Sequence, residues 1–295
     1  MDAVTAVPPF ESFYLEQREI VLGFLRRRLG RQAAEDAFQE TFLRVESVPR
    51  AGEIVGATES WSEPAGGGGV AAVELARLAG EAHLYCSLGG DELGAKSRAR
   101  LEAAGVRVHS APSDEPQRRG FVYVDEVGER TITIIGEKPR PKGGEGVLPW
   151  EELDSADGVY FTAGDAESVR QARRARILVA TARELSTLRT AGMELDALVA
   201  SGEDDAERYQ PGDLEPPPRL VVSTAGSLGG WAQPGGPYKA AVPPGPYEDA
   251  YGAGDCFAAG LTYALAQGLE VADALTFASE RGALALTRKG AGLTA

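Results

Sequence analysis

Cysteine, histidine and methionine are all scarce, at two residues each in a chain of 295. Two cysteines, Cys86 and Cys256, exclude a disulfide framework or a zinc–thiolate cluster. Two histidines do not suggest a His-based metal centre. His83 lies in an apolar, strand-like run and His109 near a loop, and both read as structural or surface residues. No apolar run approaches the length of a membrane span, and the start lacks the pattern of a secretory signal, so a cytoplasmic location without membrane partners is expected. Basic charge is also in deficit. Against 44 Asp and Glu stand 30 Lys and Arg, a formal net charge of −14. That argues against a broad nucleic-acid surface and leaves room for local basic patches.

Glycine is abundant, at 37 residues, and the most telling glycines lie near the end of the chain. In Asp249-Ala-Tyr-Gly-Ala-Gly-Asp255, the small residues Gly252, Ala253 and Gly254 precede an acid. Phe257, Leu261, Ala264 and Leu265 then recur at helical spacing. The pattern predicts a tight turn opening a helix from about Ala253 to Gln267, with Gly268 as its stop. Such a turn leaves backbone N–H groups free at the positive end of a helix, a place for a phosphate or another anion. Asp255 falls in the first turn. A carboxylate there would repel a resting phosphate, yet it could take a proton from a hydroxyl that attacks that phosphate. Read without further context, the stretch is equally a Gly-rich turn with an acid favouring a helix N-terminus.

The whole stretch D-A-Y-G-A-G-D-C-F-A-A-G, residues 249–260, resembles the C-terminal signature of the ribokinase-like (PfkB-type) carbohydrate kinases, D-T-x-G-A-G-D-x-F-x-x-G. It departs at Ala250, where the family prefers Thr. The resemblance covers about residues 47–295. It implies a three-layer α/β/α sandwich with a mainly parallel central sheet and a small β-lid, the lid strands falling within about 48–63 and 119–136. It further implies an ATP-dependent transfer of the γ-phosphoryl group to a hydroxyl of a sugar or nucleoside. Asp255 would be the base, and Gly252, Ala253 and Gly254 would steady the transferred group. Mg²⁺ would bridge the ATP phosphates, and Asp249 would help with a monovalent cation such as K⁺.

Other motifs carry the same resemblance. Ala65-Gly-Gly-Gly-Gly-Val70 is similar to the family's G-G-x-x-x-N-x-A stretch. It makes Gly66, Gly67, Gly68 and Val70 candidates for the sugar site, with Val70 standing near the usual Asn. Gly89-Gly-Asp-Glu-Leu-Gly94 looks like the G-x-D-x-x-G turn, with Asp91 read as a helix cap. Ser201-Gly-Glu-Asp204 sits where many of these kinases carry N-x-x-E and makes Asp204 a candidate for hydrated Mg²⁺; an acidic surface turn is the alternative. Thr224-Ala-Gly-Ser-Leu-Gly-Gly230 resembles the T-x-G-x-x-G loop along the nucleotide, naming Thr224, Gly226 and Gly229. Ser279 and Gly282, on a helix spanning 271–288, would face the adenine.

The apolar runs Val159–Thr162, Ile177–Ala180, Ala197–Ala200 and Leu220–Ser223, with helical segments between the first three, predict parallel strands with crossover helices. Their carboxyl ends, at Gly164-Asp165, Ser201 and Thr224, are where ligands bind in such sheets. Leu84–Leu88 reads as a buried strand. Phe121–Val124 and Thr131–Ile135 read as a hairpin, with Arg130 a solvated charge. Short strands are expected within Val48–Val55 and Thr58–Ser62.

Residues 1–46 differ in character. A helix over Phe10–Leu25 and a second over Ala33–Val45 make a hairpin with an arginine cluster between them. Residues 10–45 resemble the start of region 2 of an extracytoplasmic-function sigma factor, which would make RNA polymerase a partner; packing on the kinase body is the alternative. The kinases begin with a central strand, and nothing before Val48 reads as one, although Thr41–Glu46 could supply part of it. Unpaired neighbouring edges would be costly. Two functional expectations therefore stand side by side: a sugar or nucleoside kinase, with homodimerisation through the lid as an option, and a catalytically degenerate ligand- or partner-binding protein, with regulation through the N-terminal segment.

Overall fold

The computed structural model describes residues 41–293 except 46–47, 50–51, 127, 129 and 145. Its strands are Thr41–Arg44 (β1), Glu59–Ser62 (β2), Ala82–Gly89 (β3), Val106–Ser113 (β4), Arg119–Val124 (β5), Arg130–Ile135 (β6), Gly158–Phe161 (β7), Ile177–Thr181 (β8), Ala197–Ser201 (β9), Val221–Thr224 (β10), Gly230–Gln233 (β11) and Gly236–Tyr238 (β12). Its helices are Gly67–Ala79 (α1), Glu92–Ala103 (α2), Ala166–Ala172 (α3), Leu185–Ala191 (α4), Ala253–Ala266 (α5) and Val271–Ala285 (α6). Among the described residues no helix is long and apolar enough to cross a membrane.

The main sheet runs β12-β11-β10-β9-β8-β7. β7 to β10 are parallel, and β11 and β12 add an antiparallel edge. Strand periodicity explains how short apolar runs serve two cores at once, since alternate side chains leave opposite faces. Val179, Ala197 and Val199 point into a cluster with Phe257, Leu261, Leu275 and Ala278 of α5 and α6. Their neighbours Leu178, Ala180, Leu198 and Ala200 join Val169 and Leu188 of α3 and α4 on the other side. The result is the expected sandwich of helices around a mainly parallel sheet.

Two smaller sheets complete the described fold. β5 and β6 form the expected hairpin, and the lid sheet runs β2-β1-β5-β6. β3 and β4 pair with each other in parallel. β3 and β7 each end their sheet, and both line the same cavity. Among the described residues no strand lies between them.

The structure corrects several expectations from sequence. Thr41–Arg44, expected as the end of a helix, is a strand, and it pairs in the lid sheet instead of the central sheet. Phe42 explains the preference: it is fully buried, faces Trp61 in register with rings stacked 5.0 Å apart, and meets Tyr251 edge-on. Such cross-strand aromatic pairing outweighs a weak helical pattern. The rest of the predicted N-terminal hairpin, with the sigma-like segment, lies outside the described residues. No strand forms among the described residues of 48–55. His109 is in β4, not a loop, one diagonal step from His83 on the same face.

Candidate active site

The turn before α5 is held from three sides. Gly252 caps the helix at φ 75°, a left-handed backbone that favours glycine. A methyl group there would lie 2.8 Å from Val70 Cγ1, so the buried Val70 sits directly beneath the turn. Asp249 is fully buried, and its oxygens accept the N–H groups of Tyr251 and Gly290, both at 2.8 Å. Burial pushes the Asp249 carboxyl up, and those two donors oppose it. Arg130, read as a solvated charge, instead donates to the Ala250 carbonyl at 2.8 Å and ties the lid to the turn.

Helix geometry leaves the first N–H groups of α5 without intrahelical acceptors. Ala253 N–H reaches only the Ala250 carbonyl, at 3.5 Å. The side of Gly254 is open, with nothing within 4 Å of where a side chain would begin. This is the expected anion cradle, with the donors placed from residue 253 onward.

Asp255 follows in the first turn. A methyl group on Gly67 would lie 2.5 Å from Asp255 Oδ1 and 3.3 Å from Thr162 Oγ1. The first turn of α1 therefore sits against the carboxylate as closely as backbone can, and glycine at 67 is what allows it. Burial pushes the Asp255 carboxyl up to about 6, and the Glu207 charge adds to the rise. Arg130, Arg183 and Lys138 pull the other way. Gly66 N–H donates to the Tyr251 hydroxyl at 2.9 Å, which fixes the entry to α1 above the turn.

A continuous cavity of about 2460 Å³ opens over these residues. Gly66, Gly67, Gly68, Asp204, Thr224, Gly226, Gly229, Gly252, Ala253, Gly254, Asp255, Ser279 and Gly282 all border it. Val70 and Asp249 lie behind its wall, not in its lining.

On the far side from the Gly66–Gly68 turn, Gly229 at φ 92° brings its backbone against the Tyr238 carbonyl, and only a glycine fits. Thr224 Oγ1 donates to the Ala200 carbonyl at 3.3 Å. Gly282 lets α6 approach α5, since a methyl there would lie 3.2 Å from the Ala253 carbonyl. Ser279 Oγ and Tyr238 Oη are buried on this wall without hydrogen-bond partners. Buried polar atoms left unpaired carry a cost, which a polar ligand would remove.

Asp204 caps a short turn. It accepts Ala206 N–H at 2.9 Å and Arg183 Nη2 at 2.7 Å, and these partners hold its carboxyl below the usual range. Ser201 Oγ accepts the N–H groups of Glu203 and Asp204 and shapes the same turn. Asp91 and Asp165 are helix caps, each accepting a backbone N–H at 2.7–3.0 Å.

Sequence reasoning missed Lys138, Arg183 and Glu184. Glu184 is buried and accepts Lys138 Nζ at 2.8 Å and Arg140 Nη1 at 2.5 Å. Burial would raise its carboxyl, and the two cations hold it below the usual range. Lys138 also donates to the Thr162 carbonyl at 3.1 Å and borders the cavity. No motif marks these residues, because loop and strand contribute them from distant parts of the chain.

A glycine-capped helix start, a carboxyl poised near neutrality and a wall of glycine turns beside unpaired hydroxyls define a phosphotransferase acting on a hydroxyl. The pfkB family carbohydrate kinase profile matches residues 37–186 and 162–295, and the chain belongs to that family. It is 33% identical over 278 residues to an ATP-dependent ribose-1-phosphate kinase from Halopiger xanaduensis, covering 84% of this chain and 89% of that one. Among solved structures it is similar to a putative ribokinase from Agrobacterium tumefaciens, with TM-score 0.69, 21% identity and coverage of 85% and 89%. A second is the Arabidopsis thaliana ribokinase complexed with ribose and ATP, with TM-score 0.63, 19% identity and coverage of 85% and 90%. The chain is thus an ATP-dependent kinase of a sugar or nucleoside hydroxyl, and the degenerate-binder alternative is not favoured.

Proposed function

We propose that this kinase phosphorylates a pentose that already carries a phosphate, of the ribose-1-phosphate class, with Asp255 as general base. The observation that carries the reading is Asp255 itself: its carboxyl, raised to about 6, sits in the first turn of α5 against the Gly67 backbone. A base with that proton affinity is ionised at neutral pH and still basic enough to take a hydroxyl proton. As Asp255 takes the proton, the acceptor oxygen bonds to the γ-phosphorus. The bond from that phosphorus to the ADP oxygen breaks, and ADP leaves. The N–H groups at the start of α5 face the charge on the transferred group.

The relative's name suggests the phosphorylated acceptor. The cavity adds support: Arg118 and Arg130 of the lid border it, and Arg118 Nε is buried without a partner. A sugar phosphate would supply the missing acceptor oxygens.

Mg²⁺ would neutralise charge on the ATP phosphates. The oxygen donors present fit that ion, since Glu203 and Asp204 border the cavity beside the Gly226 loop. Arg183 holds Asp204 in place. Asp249 does not fit as a cation ligand, being sealed from the cavity with both oxygens engaged. Its work is to hold the turn.

The test compares acceptors with and without the 1-phosphate, in wild type and Arg118→Ala. The reading expects ribose-1-phosphate to be preferred over ribose and nucleosides. It also expects Arg118→Ala to raise KM for the phosphorylated acceptor while sparing KM for ATP. Equal use of ribose, with Arg118→Ala neutral, would reject the phosphorylated acceptor.

A further inference from the structure

His83, His109 and Glu152 come from three separate segments: β3, β4 and the 3-10 turn Trp150–Ser155 before β7. Their ligand atoms converge. His109 Nε2 lies 3.1 Å from His83 Nδ1, His83 Nδ1 lies 3.3 Å from Glu152 Oε2, and His109 Nε2 lies 3.6 Å from Glu152 Oε2. In a tetrahedral zinc site with bonds of about 2.0–2.1 Å, neighbouring ligand atoms stand about 3.3 Å apart. The three distances straddle that edge, so the triangle matches one face of a zinc tetrahedron.

Proton counting favours an ion over a simple hydrogen-bonded cluster. His83 Nε2 lies 3.0 Å from Glu81 Oε1, and a carboxylate can only accept from it. The proton of a neutral His83 is therefore on Nε2, and Nδ1 points a lone pair at the other two ligands. Glu152 Oε2 is likewise an acceptor. A single proton on His109 Nε2 would have to serve both, across 3.1 and 3.6 Å. One divalent cation would satisfy all three atoms. A carboxylate behind the distal nitrogen of a ligating histidine is also the usual support of such sites.

The rings are held in place before any ion arrives. His109 stacks on Tyr85 at 4.7 Å, Tyr85 stacks on Trp150 at 5.1 Å, and the Tyr85 hydroxyl donates to the Pro149 carbonyl at 3.3 Å. Other charged groups nearby are Arg107, 3.4 Å from Glu81, together with Glu151 and Arg98. Glu152 is the most exposed ligand, with 42% of its side chain accessible, so solvent reaches the fourth position.

We infer that His83 Nδ1, His109 Nε2 and Glu152 Oε2 form a zinc-class metal site, completed by water, that staples the β3–β4 pair to the segment leading into β7. The position gives the ion its role. β3 and β7 share no ladder, and this cluster bridges their N-terminal ends. Asp255, by contrast, lies with Thr162, just past the C-terminal end of β7. The ion is structural and takes no part in phosphoryl transfer.

The test uses tag-free full-length protein, stripped with EDTA and titrated with zinc by calorimetry, with thermal unfolding and cobalt(II) absorption alongside. Wild type should bind one equivalent, gain a few degrees in Tm and give the visible bands of tetrahedral cobalt. His109→Gln and Glu152→Gln should lose binding, the Tm gain and the bands while keeping the wild-type far-UV spectrum without metal. Glu81→Gln, which changes only the supporting carboxylate, should weaken binding 10- to 100-fold. Wild type without stoichiometric binding at micromolar zinc, or binding equally strong in His109→Gln and Glu152→Gln, would overturn the site. The exposed Glu152 variant keeps the test sound if the histidine variant folds poorly.

Discussion

The six-stranded sheet and the β3–β4 pair are built from similar apolar strands, yet they are completed differently. In the first, β8 and β9 have a ladder on both sides and a helical layer on each face. The second has two strands, helix packing through α1 and α2, and an edge that faces the cavity. The nucleotide wall and Asp255 rest on the complete sheet. The Gly66–Gly68 turn rests on α1, which leans on the incomplete one. The contrast teaches that chemistry and acceptor binding are anchored in parts with different support, and that they meet at Gly67 and Asp255.

Gly67→Ala attacks that meeting point. The added methyl would press on Asp255 Oδ1, and displacement of a reacting group by about 1 Å costs about 100-fold in rate. Steady-state kinetics should show kcat reduced by that order with Tm close to wild type. The pH profile of kcat/KM sharpens the same point. With the Asp255 carboxyl at about 6, activity should be level near pH 8 and fall tenfold per unit below about pH 6, as the base takes a proton.

Glu184→Gln probes the complete half. It leaves Lys138 and Arg140 without their buried anion. Breaking such a pair costs about 3–5 kcal/mol when fully buried. Both cations are partly exposed, so we expect about 2 kcal/mol by denaturant unfolding at pH 7. The Glu184 carboxyl is lowered by folding, so its contribution is present above its unfolded value and is lost as pH falls through the folded one. The difference between variant and wild type should shrink in acid.

The smallest expected effect has the opposite sign. The Asp255 carboxyl is raised by folding, so the native state binds its proton more tightly between about 4 and 6, and stability falls as pH rises through that window. Asp255→Asn should therefore raise Tm by a few degrees at pH 7 and by little at pH 4, on the order of 1–2 kcal/mol of relief.

The base and both glycine turns were legible in the sequence because they are local. Gly252 to Asp255 and Thr224 to Gly230 place their ligand groups by backbone shape, which neighbouring residues dictate. Val70 shows the limit. Its place in the motif suggested a sugar contact, and the structure buries it under Gly252, a packing relation between two helices that no local pattern encodes. β1 was read as helix because Phe42 and Leu43 fit that period too. Its partner Trp61 decides the matter from 19 residues away. β4 escaped notice because Arg107, His109 and Ser110 interrupt its apolar run. Glu184 with Lys138 and the His83–His109–Glu152 cluster are assembled only by tertiary structure, and their spacing in sequence carries no signal.

The decisive measurement is Mg²⁺-ATP turnover of Asp255→Asn beside wild type, with ribose-1-phosphate as acceptor and nucleotide binding measured on the same samples. The account predicts unchanged ATP affinity with kcat reduced about 10²–10⁴-fold, the range for loss of a general base. Turnover equal to wild type with nucleotide bound would contradict it.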